Sequence, residues 1–155
     1  MLDINFIRQT LGKYYDQPDV DTLLSNFEIK EKLKLKKGEV DAYLSSKKHG
    51  IEITFSIESS LKERTQTTYP DGALVITNIR FYGVSTSDFD VYQGVLPSGI
   101  FFRNSKKELE STLGTSSWRN PILNSYRWKN SEYQLMAVLN DEEELEICSI
   151  QLLTA

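Results

Sequence analysis

Apolar residues recur at two spacings along this chain, and the change from one to the other marks its elements. Ile51, Ile53, Phe55 and Ile57 alternate with Glu52, Thr54, Ser56 and Glu58, the period-two pattern of a strand with one face on a core and one in water. Residues 40–44 read as a partner strand, joined to it by a turn over 45–50. Tyr69-Pro-Asp-Gly72 is a tight-turn sequence, with proline pre-setting φ and glycine free to take positive φ. A long strand over Leu74–Tyr82 is predicted after it. Residues 91–96 and 100–103 read as two short strands around the Pro97-Ser-Gly99 turn. Residues 125–128 and Tyr133–Leu139 read as a hairpin about Lys129-Asn-Ser131, and residues 145–153 as the strand that closes the sheet.

Helical spacing appears in three places. Phe6, Ile7 and Leu11 follow the capping residue Asp3 and end at Gly12. Val20, Leu23, Leu24 and Phe27 form a stripe behind Pro18, with Asp16 or Gln17 as cap and Asp19 and Asp21 near the positive end of the helix dipole. Ser105 and Glu108 form a capping box ahead of Leu109, Leu113 and the terminating Gly114. The lysine-rich stretch 30–37 suits an exposed edge strand or an extended connector. Residues 59–69 form a polar excursion, and Trp118 and Pro121 fall in a loop. This order predicts one α+β domain over 1–155: a mostly antiparallel sheet carrying two short N-terminal helices and one central helix.

Composition narrows the class. With 155 residues, 39% hydrophobic and 26% charged, the chain can bury a core large enough to fold alone. A single cysteine, Cys148, excludes an intramolecular disulfide and a thiolate metal cluster within one chain. The first residues carry an acid and a base in a short apolar stretch, unlike a signal peptide, so a cytoplasmic location is expected. No apolar run reaches the length of a bilayer span. The net charge of −4 argues against nucleic acid or an anionic membrane as direct partner. Residues 1–85 hold 12 acids and 12 bases and residues 86–155 hold 10 acids and 6 bases, so the second part carries the excess.

Catalytic chemistry finds little footing. His49 is the only histidine and falls in the turn between two strands, where an exposed structural role is expected. Cys148, beside Ile147 and Ile150, reads as a buried small hydrophobe. Ser45-Ser-Lys-Lys48 matches a catalytic motif in letters, yet lies in a hairpin turn rather than at the start of a buried helix. No phosphate loop, dinucleotide fingerprint or calcium loop is present, so neither enzyme activity nor a cofactor or metal is expected. Surface recognition remains, with Asp88, Phe89, Asp90 and Tyr92 as a mixed acidic and aromatic cluster, Trp118 as a loop anchor, and Asp141, Glu142, Glu143 and Glu144 as an acidic turn.

Tyr92-Gln-Gly-Val-Leu-Pro-Ser-Gly-Ile100, then Ser105, Leu109, Leu113-Gly114, Trp128 and Tyr133-Gln-Leu135, resemble small immunity proteins of bacterial toxin–immunity systems, including contact-dependent inhibition. Leu11-Gly-Lys13, Pro18, Val20, Gly50-Ile-Glu-Ile53 and Phe81-Tyr82 extend the likeness over most of the chain. Where such proteins carry Leu-Gly-x-Pro after the last helix, this chain reads Leu113-Gly-Thr-Ser116 with proline only at 121. The helix ending in Leu-Gly also looks like the helix-and-sheet module of beta-lactamase inhibitor proteins and outer-membrane assembly lipoproteins. The resemblance implies a non-catalytic protein, monomer or homodimer, that neutralises a cognate toxin by stoichiometric binding. The acidic excess suits a basic nuclease toxin. The alternative is a helix-and-sheet inhibitor or assembly scaffold unrelated to immunity.

Overall fold

The computed structural model describes residues 2–62 and 64–154. Helices α1 (Ile4–Gln9) and α2 (Pro18–Asn26) lead into strands β1 (Asp41–Ser46), β2 (Ile51–Ile57) and β3 (Leu74–Tyr82). Helix α3 (Lys106–Leu113) follows, and then β4 (Trp118–Asn120), β5 (Ser125–Lys129), β6 (Tyr133–Leu139) and β7 (Leu145–Leu152). All seven strands form one antiparallel sheet in the order β1-β2-β3-β7-β6-β5-β4. The fold is α+β, as the order of elements predicts.

The caps act as their residue types require. Asp3 accepts from Asn5 N at 2.6 Å to start α1. Ser105 and Glu108 satisfy each other's backbone N–H groups at the start of α3, two donors that a helix end otherwise leaves unpaired. Between α1 and α2 the chain runs along the start of β3, where Gly12 N donates to Ile76 O and Tyr15 N to Leu74 O. This part of β3 lies outside its pairing with β7, so the linker occupies an otherwise open edge.

Three expectations change. β7 does not close the sheet at an edge; it lies in the middle and joins the β1-β2-β3 meander to the β6-β5-β4 meander. Residues 91–96 and 100–103 form no strands. Tyr92, Leu96 and Ile100 are buried there, and Ser98 (φ 61°) and Gly99 (φ 74°) turn the backbone sharply between Leu96 and Ile100. Trp118 lies in the short edge strand β4 rather than in a loop, and Pro121, just past its end, cannot continue the ladder. Residues 30–37 form the extended connector, one of the two readings of that stretch.

One face of the sheet is covered. Leu44, Ile53, Ile79, Ile150, Leu135 and Trp128 align as successive cross-strand partners from β1 to β5, and all are buried with Ile7, Val20, Leu23 and Leu109 of the helices. The polar excursion is anchored beneath its surface: Leu61 is buried, and the Tyr69 hydroxyl donates to Gly12 O at 2.8 Å.

Candidate functional site

The other half of each strand's alternation builds a second, uncovered face. Ser45, Glu52, Arg80, Ser149, Met136, Arg127 and Trp118 form a row of direct partners across all seven strands. Beside it run Tyr43, Thr54, Asn78, Gln151, Gln134 and Lys129. Most of this second row lines a trough of about 500 Å³ that draws residues from six consecutive strands, with Ser60, Leu61 and Arg64 on one wall and Leu153 and Thr154 on another.

A bulge shapes the trough floor. The β2–β3 register slips between Thr54 and Phe55, so Thr77 has no partner on β2, and both Thr77 and Asn78 line the trough. Re-aiming adjacent side chains to one face is what a bulge does. Ser56 Oγ donates to Asp41 Oδ1 at 2.6 Å and meets Thr77 Oγ1 at 2.8 Å. Gln134 Nε2 donates to Gln151 Oε1 at 2.6 Å.

The polar groups of this face are incompletely paired. Asn78 Oδ1, Arg80 Nε, Ser125 Oγ and Arg127 Nε are buried without a hydrogen-bond partner among the described residues. All four belong to residues of the uncovered face by register. A polar atom shielded from water without a partner is destabilising by about 1–3 kcal/mol, so a molecule laid on this face can satisfy what the chain does not. Among the described residues, Arg64, Arg80, Arg127 and Lys129 form no ion pair. Against these cations the strands of this face set, among the described residues, two acids, Asp41 and Glu52. The face is therefore basic although the chain is acidic.

The residues singled out from the sequence are scattered. Tyr92 is withdrawn from the surface: it is buried beside Phe81, ring centres 4.7 Å apart, and its hydroxyl donates to Val95 O. Burial, with Cys148 nearby as a lesser cause, pushes that hydroxyl up to about 12. Phe89 stacks on Tyr82 at 4.0 Å between ring centres, while Asp88 and Asp90 stay exposed. The acidic turn of Asp141, Glu142, Glu143 and Glu144 is organised by Asn140 Oδ1, which accepts from Glu142 N and Glu144 N. It joins the end of β6 to the start of β7, whereas the trough lies at the opposite ends of those strands. Trp118 belongs to the uncovered face itself, exposed at its β4 edge under the Arg127 guanidinium, and Phe89 lies against that face, because Tyr82 shares it with Asn78 and Arg80 by register.

His49 is half-buried rather than exposed, its ring 5.7 Å from Phe27 and 3.1 Å from a Glu28 carboxylate oxygen. A hydrogen bond from Lys48 holds that carboxyl below its usual range. Cys148 is fully buried, and burial raises its thiol to about 12, which removes the thiolate that reactivity needs. Among the described residues no group of acids, histidine and cysteine is placed to hold a metal ion, and no helix is long and apolar enough to cross a membrane.

Sequence reasoning missed Asn78, Arg80, Arg127, Lys129, Gln134 and Gln151. Their only signal is the polar half of each strand's alternation, which says that a residue faces away from the core but not which residues of other strands stand beside it.

No family model matches the chain, and no curated protein matches it in sequence. Among solved structures it is similar to a DUF4309 family protein, YjgB, from Bacillus subtilis, at 13% identity and a TM-score of 0.45, covering 96% of this chain and 91% of that one.

Proposed function

We propose that this chain is a stoichiometric protein-binding partner that neutralises a toxin domain in the cytoplasm, as the sequence resemblance implies, and that its contact surface is the uncovered face of the sheet. The observation that carries this reading is the coincidence, on one face, of the buried unpaired polar atoms, the unpaired arginines, and exposed aromatics at both edges, Tyr43 on β1 and Trp118 on β4. Tryptophan, tyrosine and arginine are the residue types in which binding energy concentrates. A solvated sheet face devoted to solubility has no need of shielded, unpaired donors.

The test is co-expression with the toxin domain encoded next to this chain, scoring survival and co-purification. Survival with a one-to-one complex, both lost on replacing Trp118 and Arg127 by Ala, is the expected result. Killing that continues without a complex sinks the immunity reading and leaves the alternative of an inhibitor or scaffold for another protein.

A further inference from the structure

The trough has a shape and a chemistry that select its occupant. It crosses six strands, and at about 4.8 Å between neighbours that is about 24 Å, the length of about seven residues of extended chain. Its floor is a cross-strand row of side-chain amides, Asn78, Gln151 and Gln134, flanked by the hydroxyls of Thr54, Ser56 and Thr77. Amides and hydroxyls offer donors and acceptors together, which is what a peptide main chain requires. Asn78 Oδ1 stands without a donor.

Charge is distributed unevenly along the same trough. Lys129 and Arg127 lie at the β5 end, Arg64 stands in the wall, and Asp41 at the β1 end is already engaged by Ser56. The Arg127 guanidinium rests on the Trp118 ring, a stacking that holds its plane while leaving its edge N–H groups free to fork onto a carboxylate. Arg80 stands in the adjoining row between Glu52 and Ser149.

We propose that the trough seats an extended acidic segment of the partner protein, its main chain on the amide row and a carboxylate between Arg127 and Lys129. This rests on the uncovered face being the contact surface and adds the chemistry of what it contacts. It also reverses the sign of the partner suggested by net charge: four of the ten acids of residues 86–155 lie in the β6–β7 turn, remote from the trough, while Arg127 and Lys129, two of the six bases there, line it. A nucleic-acid strand is the lesser fit, because no aromatic ring among the described residues lines the trough for bases to stack on.

The test is titration of the full chain, ¹⁵N-labelled, with the capped heptapeptide Ser-Glu-Ser-Glu-Ser-Glu-Ser, with its Gln and Lys counterparts, and with a seven-nucleotide single strand. Arginine Nε–H and Asn and Gln amide signals are read directly. The expected result is saturable shifts at Arg127, Arg80, Gln134, Gln151 and Asn78 with the Glu peptide, half-complete below about 1 mM. Arg127→Gln with Lys129→Gln should weaken them tenfold or more. Lys36→Gln with Lys37→Gln, which removes the same charge from the exposed connector, should leave them unchanged. Equal binding of the Gln peptide overturns the acidic preference while leaving the face a contact surface. Tighter binding of the Lys peptide or of the oligonucleotide overturns the proposal outright. Absence of shifts with every probe also overturns it, and the toxin-complex variants at Trp118 and Arg127 then judge the contact surface independently.

Discussion

The guanidinium carbon of Arg127 lies 4.1 Å from the centre of the Trp118 ring, one strand away on the same face of the sheet. The pair sits on the uncovered side, at the edge strand, where such a contact adds about 0.5–1 kcal/mol to the fold. Trp118→Ala should therefore lower urea-unfolding stability by less than about 1 kcal/mol. If the face is the contact surface, the same change should weaken toxin binding at least tenfold, measured by calorimetry. A variant that unfolds readily yet binds normally would reassign Trp118 to structure alone.

The acidic turn offers a contrasting measurement. Asp141, Glu142 and Glu143 are exposed at the end of the sheet remote from the trough, and backbone bonds to Asn140 hold the turn without any need of their carboxylates. Replacing Asp141, Glu142, Glu143 and Glu144 together by Ser should change toxin affinity by less than about threefold and leave its dependence on salt intact. A large loss, read as a faster dissociation rate, would move the interface to that end.

Gly50 carries a packing constraint that can be checked without any partner. It takes φ +65°, and a Cβ there would fall 2.6 Å from Tyr92 N and closer still to Asp90 O, both backbone atoms that cannot step aside. Gly50→Ala should destabilise the protein by about 2–4 kcal/mol, combining strain at positive φ with the clash. Thermal unfolding followed by circular dichroism tests this, and an unchanged midpoint would mean that the 90–92 segment does not pack on the β1–β2 turn.

Alkaline pH should loosen the core. The Cys148 thiol is raised from 9.0 to about 12 and the Tyr92 hydroxyl from 10.0 to about 12, both chiefly by burial. The folded state therefore holds these protons more tightly than the unfolded chain, which releases them first as pH rises. Stability is full below about pH 9 and declines between about pH 9 and 12. Cys148→Ala lowers stability at neutral pH by leaving a small cavity, but should flatten this decline, as urea midpoints at about pH 8 and 10.5 would show. Equal slopes for both proteins would contradict the burial of the thiol.

The sequence by itself determined what is local. The capping box of Ser105 and Glu108, the Pro18 helix start, the alternation of β2 and the extent of β3 depend on neighbours a few residues apart, whose preferences need no distant contact. Tertiary structure decided what is remote. Nothing local distinguishes a central strand from a closing one, so β7 had to be located by its pairing with β3 and β6. The Tyr92, Leu96 and Ile100 segment reads as strand by composition, yet its apolar residues serve as separate plugs over a core assembled elsewhere. The trough is legible least of all, because Asn78, Gln151 and Gln134 stand up to 73 residues apart in the chain and become neighbours only through the register of three strands. Net charge is silent on any one face for the same reason: it sums over the molecule, whereas a partner meets one face, and only the folding of the sheet separates the bases of that face from the acids of the turn.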